Sequence, residues 1–147
     1  MAARALGNAI KRAVVALKAP AAVGPYSQAI RAGTTVYCSG CLGLNPATKT
    51  LEADVEKQTK RAIENMQEIL KAAEADLNNV VKTTVFLKNM SDFQKVNAVY
   101  AGFFEKPFPA RSCVAVAELP LNALVEVECI AVKRSKCATS GCGTKAK

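Results

Sequence analysis

Between Asp54 and Ala75 the apolar residues return at helical spacing. Val55, Thr59, Ala62, Ile63, Met66, Ile69, Leu70 and Ala73 form one stripe, and Lys57, Lys60, Arg61, Glu64, Glu68 and Lys71 lie opposite. A helix with one apolar face needs one apolar surface to cover, and β-branched runs elsewhere in the chain supply it. A second helix opens at Ser91, where Gln94 three residues on makes a capping box. Its inner face carries Phe93, Val96, Val99, Tyr100, Phe103 and Phe104. Two helices are all that the chain has for covering its strands.

The segment "KRAVVAL" reads as a first strand. A short strand centred on Val36 and Cys38 lies between a turn on Gly33 and a loop on Asn45-Pro46. "NNVVKTTVFLKN" follows the first helix, and Ser112 to Ala117 and Leu124 to Lys133 follow the second, joined by "ELPLN". The order is ββαβαββ, an α+β domain with two helices on one face of a sheet. In the last strand Val125, Val127, Cys129 and Ala131 point one way, and Glu126, Glu128, Ile130 and Val132 the other. Apolar residues on both faces predict that the face without helices packs on another subunit, in a closed homo-oligomer rather than a filament.

The 147 residues fit one domain. No apolar run approaches the roughly 20 residues that span a bilayer, so a soluble protein is expected. The net charge of +8 belongs to the ends. Arg4, Lys11, Arg12 and Lys18 precede residue 20, and Lys133, Arg134, Lys136, Lys145 and Lys147 close the chain, with no acid among either set. The 20 cations less these nine leave 11 against all 12 acids, a core of about −1 that offers no basic face for nucleic acid. Residues 1–9 read as an N-terminal extension and residues 134–147 as a basic, disordered tail. The acid-free, Ala- and Arg-bearing start also has the composition of a mitochondrial presequence, against a cytoplasmic default.

Six cysteines without a secretory signal point to a reducing compartment. Cys38-x-x-Cys41 runs into a glycine turn rather than a helix N-terminus. With no histidine in the chain, a zinc site there would need Cys137 and Cys142 from the tail. Buried, incidental thiols are expected, and no metal.

In "FPARSCVAV", Arg111 heads a strand of small, apolar, β-branched residues and is the only cation between residues 107 and 132. A guanidinium drawn into such a strand needs a partner. Two are open: an internal ion pair with Glu118, Glu126 or Glu128, or a substrate carboxylate suited to its two-pronged donor set. Glu126 and Glu128 share a strand face roughly 6.5 Å apart. A carboxylate partly withdrawn from water there holds its proton more tightly, which suits it to acid–base work on a water. Equally, they can be rim charges.

"APAAVGPYSQAI", "VYCSGCLGLNP", "VVKTTVFLKNMSDFQKVNAVY", "FPARSCVAVAELP" and "ALVEVECIAV" together resemble the Rid/YjgF imine deaminase family, and most closely its RidA branch, over residues 10–133. The resemblance implies a chorismate-mutase-like α+β fold with one mixed sheet, assembled as a homotrimer with sites in clefts between subunits. It implies hydrolysis of reactive 2-imino acids, such as 2-iminobutanoate and 2-iminopropanoate, to 2-oxo acids and ammonia. These imines leave pyridoxal-phosphate-dependent dehydratases, whose enzymes the family protects, and it uses no cofactor. On the same ground Arg111 matches the arginine that holds the substrate carboxylate, Glu126 the glutamate that activates water, and the Cys113 carbonyl its helper. Tyr26, Ser39, Gly40 and Asn97 match other pocket positions. Cys41 stands where the family commonly has Gln. The alternatives are an RNA-directed ribonuclease or translation inhibitor, and a non-catalytic, chaperone-like trimer that senses small carboxylates.

Overall fold

The computed structural model describes residues 10–133. The expected N-terminal extension and targeting segment (1–9) and the C-terminal tail (134–147, with Cys137 and Cys142) lie outside the described residues. In chain order the elements are β1 (Arg12–Val14), β2 (Ala29–Ala32), β3 (Thr35–Leu42), α1 (Val55–Ala72), β4 (Val80–Leu87), α2 (Phe93–Ala101), β5 (Ala110–Ala115) and β6 (Val125–Val132). All six strands form one sheet in the order β1-β2-β3-β6-β4-β5. Every pair is antiparallel except β4–β5, whose parallel pairing is made possible by the crossover through α2. The final strand inserts between β3 and β4.

Asp54 caps α1, its carboxylate accepting the Lys57 N–H at 2.8 Å, and every residue of the apolar stripe is buried. Ile63, Met66 and Leu70 lie fully buried with Val85, Leu87, Val125 and Val127 of the central strands. Burying each such side chain contributes about 1.5–3 kcal/mol. Two polar residues are also buried, Gln58 and Asn65, which the helical period had left unremarked. Asn65 Nδ2 donates to the Leu42 and Leu44 carbonyls at 3.0 and 2.8 Å. Gln58 donates to Glu52 O at 2.9 Å and accepts the Leu124 N–H at 2.8 Å. These amides pair loop backbone groups that the sheet ladder does not reach.

Three details depart from the expected order. Three strands, not two, precede α1, because the four residues Ala29–Ala32 pair with both β1 and β3 around the Gly33 turn. The capping box at Ser91 does not form: Met90–Asp92 make a 3-10 turn, and α2 begins at Phe93 with no side-chain cap. The strand headed by Arg111 is the sheet edge, mostly exposed in the single chain, with Val114 at 45%. Its apolar composition is not used for burial within one chain. No helix among the described residues is long and apolar enough to cross a membrane.

Replacing Asn65 with alanine strips the Leu42 and Leu44 carbonyls of their donor. Asn65→Ala is expected to cost about 1–3 kcal/mol of unfolding free energy, read from urea midpoints at one fixed protein concentration. An unchanged midpoint would show that these carbonyls find another partner.

Candidate functional site

The strand registers decide which side each candidate faces. Arg111 on β5 is level with Thr83 on β4, and Thr83 with Cys129 on β6. Thr83 and Cys129 are buried beneath the helices, so Arg111 also lies on the helix face, at the sheet edge beside α2. There its Nη1 donates to Asn97 Oδ1 at 2.9 Å, and its guanidinium carbon lies 4.7 Å from the Tyr100 ring centroid and 5.7 Å from that of Phe93. Among the described residues no carboxylate comes within ion-pair distance of it. The ion pair with Glu118, Glu126 or Glu128 therefore does not form.

Backbone geometry extends this group. The Val116 N–H donates to Leu87 O, and alternation along the parallel ladder turns the N–H and C=O of Arg111, Cys113 and Ala115 away from β4. The Cys113 carbonyl thus sits on the unpaired edge, two residues from Arg111. Burial pushes the Cys113 thiol up, against the opposing charge of Arg111.

A second group forms elsewhere. Glu126 is level with Phe86 on β4 and Leu42 on β3, on the face that the helices leave open. Its carboxylate lies over Gly40, at the β3 bulge between Cys38 and Cys41, and a β-carbon at Gly40 would overlap that carboxylate. Only glycine leaves it room. Burial, and then the neighbouring Glu128 charge, raises the Glu126 carboxyl above its ordinary value. Ser39 Oγ donates to Ser27 O at 2.7 Å, tying the bulge to the loop that carries Tyr26. Tyr26 is half exposed, and its Oη accepts the Val23 N–H at 3.4 Å. Gln28 organises that loop from within, bonding both backbone groups of Ala16 and the Pro20 carbonyl.

The chain therefore sorts the expected residues into two sets: Arg111, Asn97 and Cys113 at the β5 edge, and Tyr26, Ser39, Gly40 and Glu126 around the β3 bulge. It does not bring the sets together. Arg111 and Glu126 lie on opposite faces of one sheet, and four strand spacings, roughly 19 Å, separate β5 from the β2 end near Tyr26. Cys41 turns its thiol inward, 3.9 Å from Cys38 and 3.5 Å from Ser39 O. Hydrogen bonds from Cys129 and Cys41 draw the buried Cys38 thiol down to about 5. Among the described residues no group of three or more His, Cys, Asp or Glu is arranged to hold a metal. The aromatic contacts of Arg111 are the feature missed in the sequence. Phe93, Asn97 and Tyr100 follow one another at i, i+4 and i+7, a spacing that puts them on one helix face, and that face meets Arg111.

A profile of the family described as Endoribonuclease L-PSP matches residues 16–133. The chain is 54% identical over 126 residues to "Reactive Intermediate Deaminase A, chloroplastic" of Arabidopsis thaliana, covering 84% of this chain and 67% of that one. It is 46% identical over 129 residues to the "2-iminobutanoate/2-iminopropanoate deaminase" of Mus musculus, covering 87% of this chain and 96% of that one. The solved YjgF gene product of E. coli superimposes with a TM-score of 0.80 at 42% identity, covering 84% of this chain and 99% of that one.

The raised Glu126 carboxyl has a thermodynamic signature. Below the ordinary value of 4.5 both folded and unfolded states are protonated, and its favourable contribution is complete. As pH rises the unfolded state ionises first, so that contribution is lost through the higher folded value. Glu126→Gln, which never ionises, is expected to be more stable than wild type at neutral pH, with the gain vanishing as pH falls below 4.5. Urea midpoints across this range check it; a gain independent of pH would remove burial as the cause.

Proposed function

The chain belongs to the Endoribonuclease L-PSP family, the Rid/YjgF proteins, and from that membership we propose that it hydrolyses small 2-imino acids to 2-oxo acids and ammonia. The observation that carries the proposal is the state of Arg111: a guanidinium held by an amide and two aromatic rings, with no carboxylate partner among the described residues. Its remaining donors suit the carboxylate of an imino acid, a contact of about 1.5–3 kcal/mol. A water between the Cys113 carbonyl and Glu126 then adds to the C=N carbon. Glu126, its proton affinity raised by burial, takes a proton from that water and returns it to the nitrogen to give the carbinolamine; a second relay carries the hydroxyl proton to the nitrogen, which leaves as ammonia as the C=O forms. Imine hydrolysis already proceeds in water, so positioning these groups is a sufficient task.

The two residue sets lie on opposite faces of one protomer, which supports a site shared between copies. Arg111, Asn97 and the Cys113 carbonyl come from one subunit, and Tyr26, Ser39, Gly40 and Glu126 from the next. Three such sites close a homotrimer, as the family resemblance implies, and the open face with Tyr37, Val114 and Val132, 41–50% exposed, becomes its interior. The substrates come from pyridoxal-phosphate-dependent dehydratases, and the protein itself needs no cofactor. RNA cleavage has less support. The chain has no histidine, and Phe104 and Tyr100 are stacked on each other in the core rather than displayed for bases.

Threonine dehydratase supplies 2-iminobutanoate, and semicarbazone formation reports what survives. Wild type is expected to suppress trapping, and Arg111→Ala and Glu126→Ala to lose that suppression. Refolded together in equal amounts, the two inactive variants should regain about a quarter of wild-type activity, because each mixed trimer holds one intact site. An inert wild type sinks the hydrolase, and no recovery on mixing sinks the shared site.

A further inference from the structure

We infer that Tyr100 is a positioning residue: its ring, anchored to the sheet through Thr83, is an uncharged seat that aims the Arg111 guanidinium at the substrate carboxylate without consuming its donors. This rests on the proposed hydrolase, in which Arg111 binds that carboxylate.

The seat is well fixed. Tyr100 is 5% exposed, its ring stacks on Phe104 with centroids 4.5 Å apart, and its hydroxyl pairs with Thr83 Oγ1 at 2.7 Å. Thr83 is fully buried, and it is the residue level with Arg111 on the neighbouring strand. One row of the sheet therefore fixes both the backbone of Arg111 and the ring beneath its side chain. At 4.7 Å from guanidinium carbon to ring centroid, the contact lies inside the ~6 Å reach of a cation–π interaction.

An aromatic partner differs in kind from a carboxylate. A glutamate here would neutralise the guanidinium and occupy the edge that the substrate needs. A ring attracts the charge through the flat face of the cation and leaves the in-plane N–H groups free, apart from the one given to Asn97. Burial raises the Tyr100 hydroxyl above its ordinary range, so the seat stays neutral wherever the enzyme works.

The test compares Tyr100→Phe, Tyr100→Leu and Thr83→Val with wild type and Arg111→Ala. It measures kcat and KM for 2-iminobutanoate and, by calorimetry, the Kd of 2-oxobutanoate. Tyr100→Leu is expected to raise KM and Kd about tenfold with kcat within about twofold. Tyr100→Phe, which keeps the ring, stays within about threefold. A folded, assembled Tyr100→Leu with wild-type KM and Kd, or with kcat lowered and KM unchanged, overturns the seat. If Tyr100→Leu does not fold, Thr83→Val decides: a KM raised about threefold at unchanged kcat supports the seat, and an unchanged KM overturns it. If wild type neither hydrolyses the imine nor binds 2-oxobutanoate, the function and the seat fall together. If wild type is active, Arg111→Ala is not, and Tyr100→Leu matches wild type, the seat alone falls.

Discussion

The pairing of β6 on both of its edges is the constraint on which the rest of the molecule depends. Antiparallel to β3 on one side and to β4 on the other, it turns two separate strand groups into one sheet. Val125, Val127, Cys129 and Ala131, at most 2% exposed, form the floor on which α1 lies. A one-residue slip would exchange that floor for Glu126, Glu128 and Ile130. The carboxylate is therefore held on the open face by the same alternation that fills the core, and the Gly40 bulge on β3 makes the space it occupies.

The opposite edge of the sheet works by other means. β5 gains little burial within one chain, and its place is set by parallel pairing with β4 and by the contact of Arg111 with α2. The helix that provides the crossover also provides the rings and the amide around the guanidinium. The path from sequence to site is short here: the roughly two turns of helix between Phe93 and Tyr100 determine what surrounds the single cation of the strand.

What was legible in the sequence was periodic or already charged. The α1 stripe and the β6 alternation could be read because burial repeats along them, and Arg111 stood out as a cation in an apolar run. The β2 strand was too short for a period to declare itself. Ser91 and Gln94 have capping-box spacing, yet the chain enters α2 through a 3-10 turn at Met90–Asp92, since the approach from β4 decides where the helix can begin. Edge or centre cannot be read from composition, so the apolar residues of β5 looked buried. The rings beside Arg111 were not legible because a lone cation in an apolar strand points first to a carboxylate, whereas a flat cation is also met by rings that the helical period assigned to the core.

The outer side of β5 has a consequence of its own. A six-residue strand with its outward N–H and C=O groups unpaired is a template for any other extended chain. It contains no proline and no lysine, and its single charge is Arg111. That guanidinium is the only charged gatekeeper the strand has against edge-to-edge aggregation. Loss of that charge would leave the edge with no charged side chain to oppose strand-to-strand pairing.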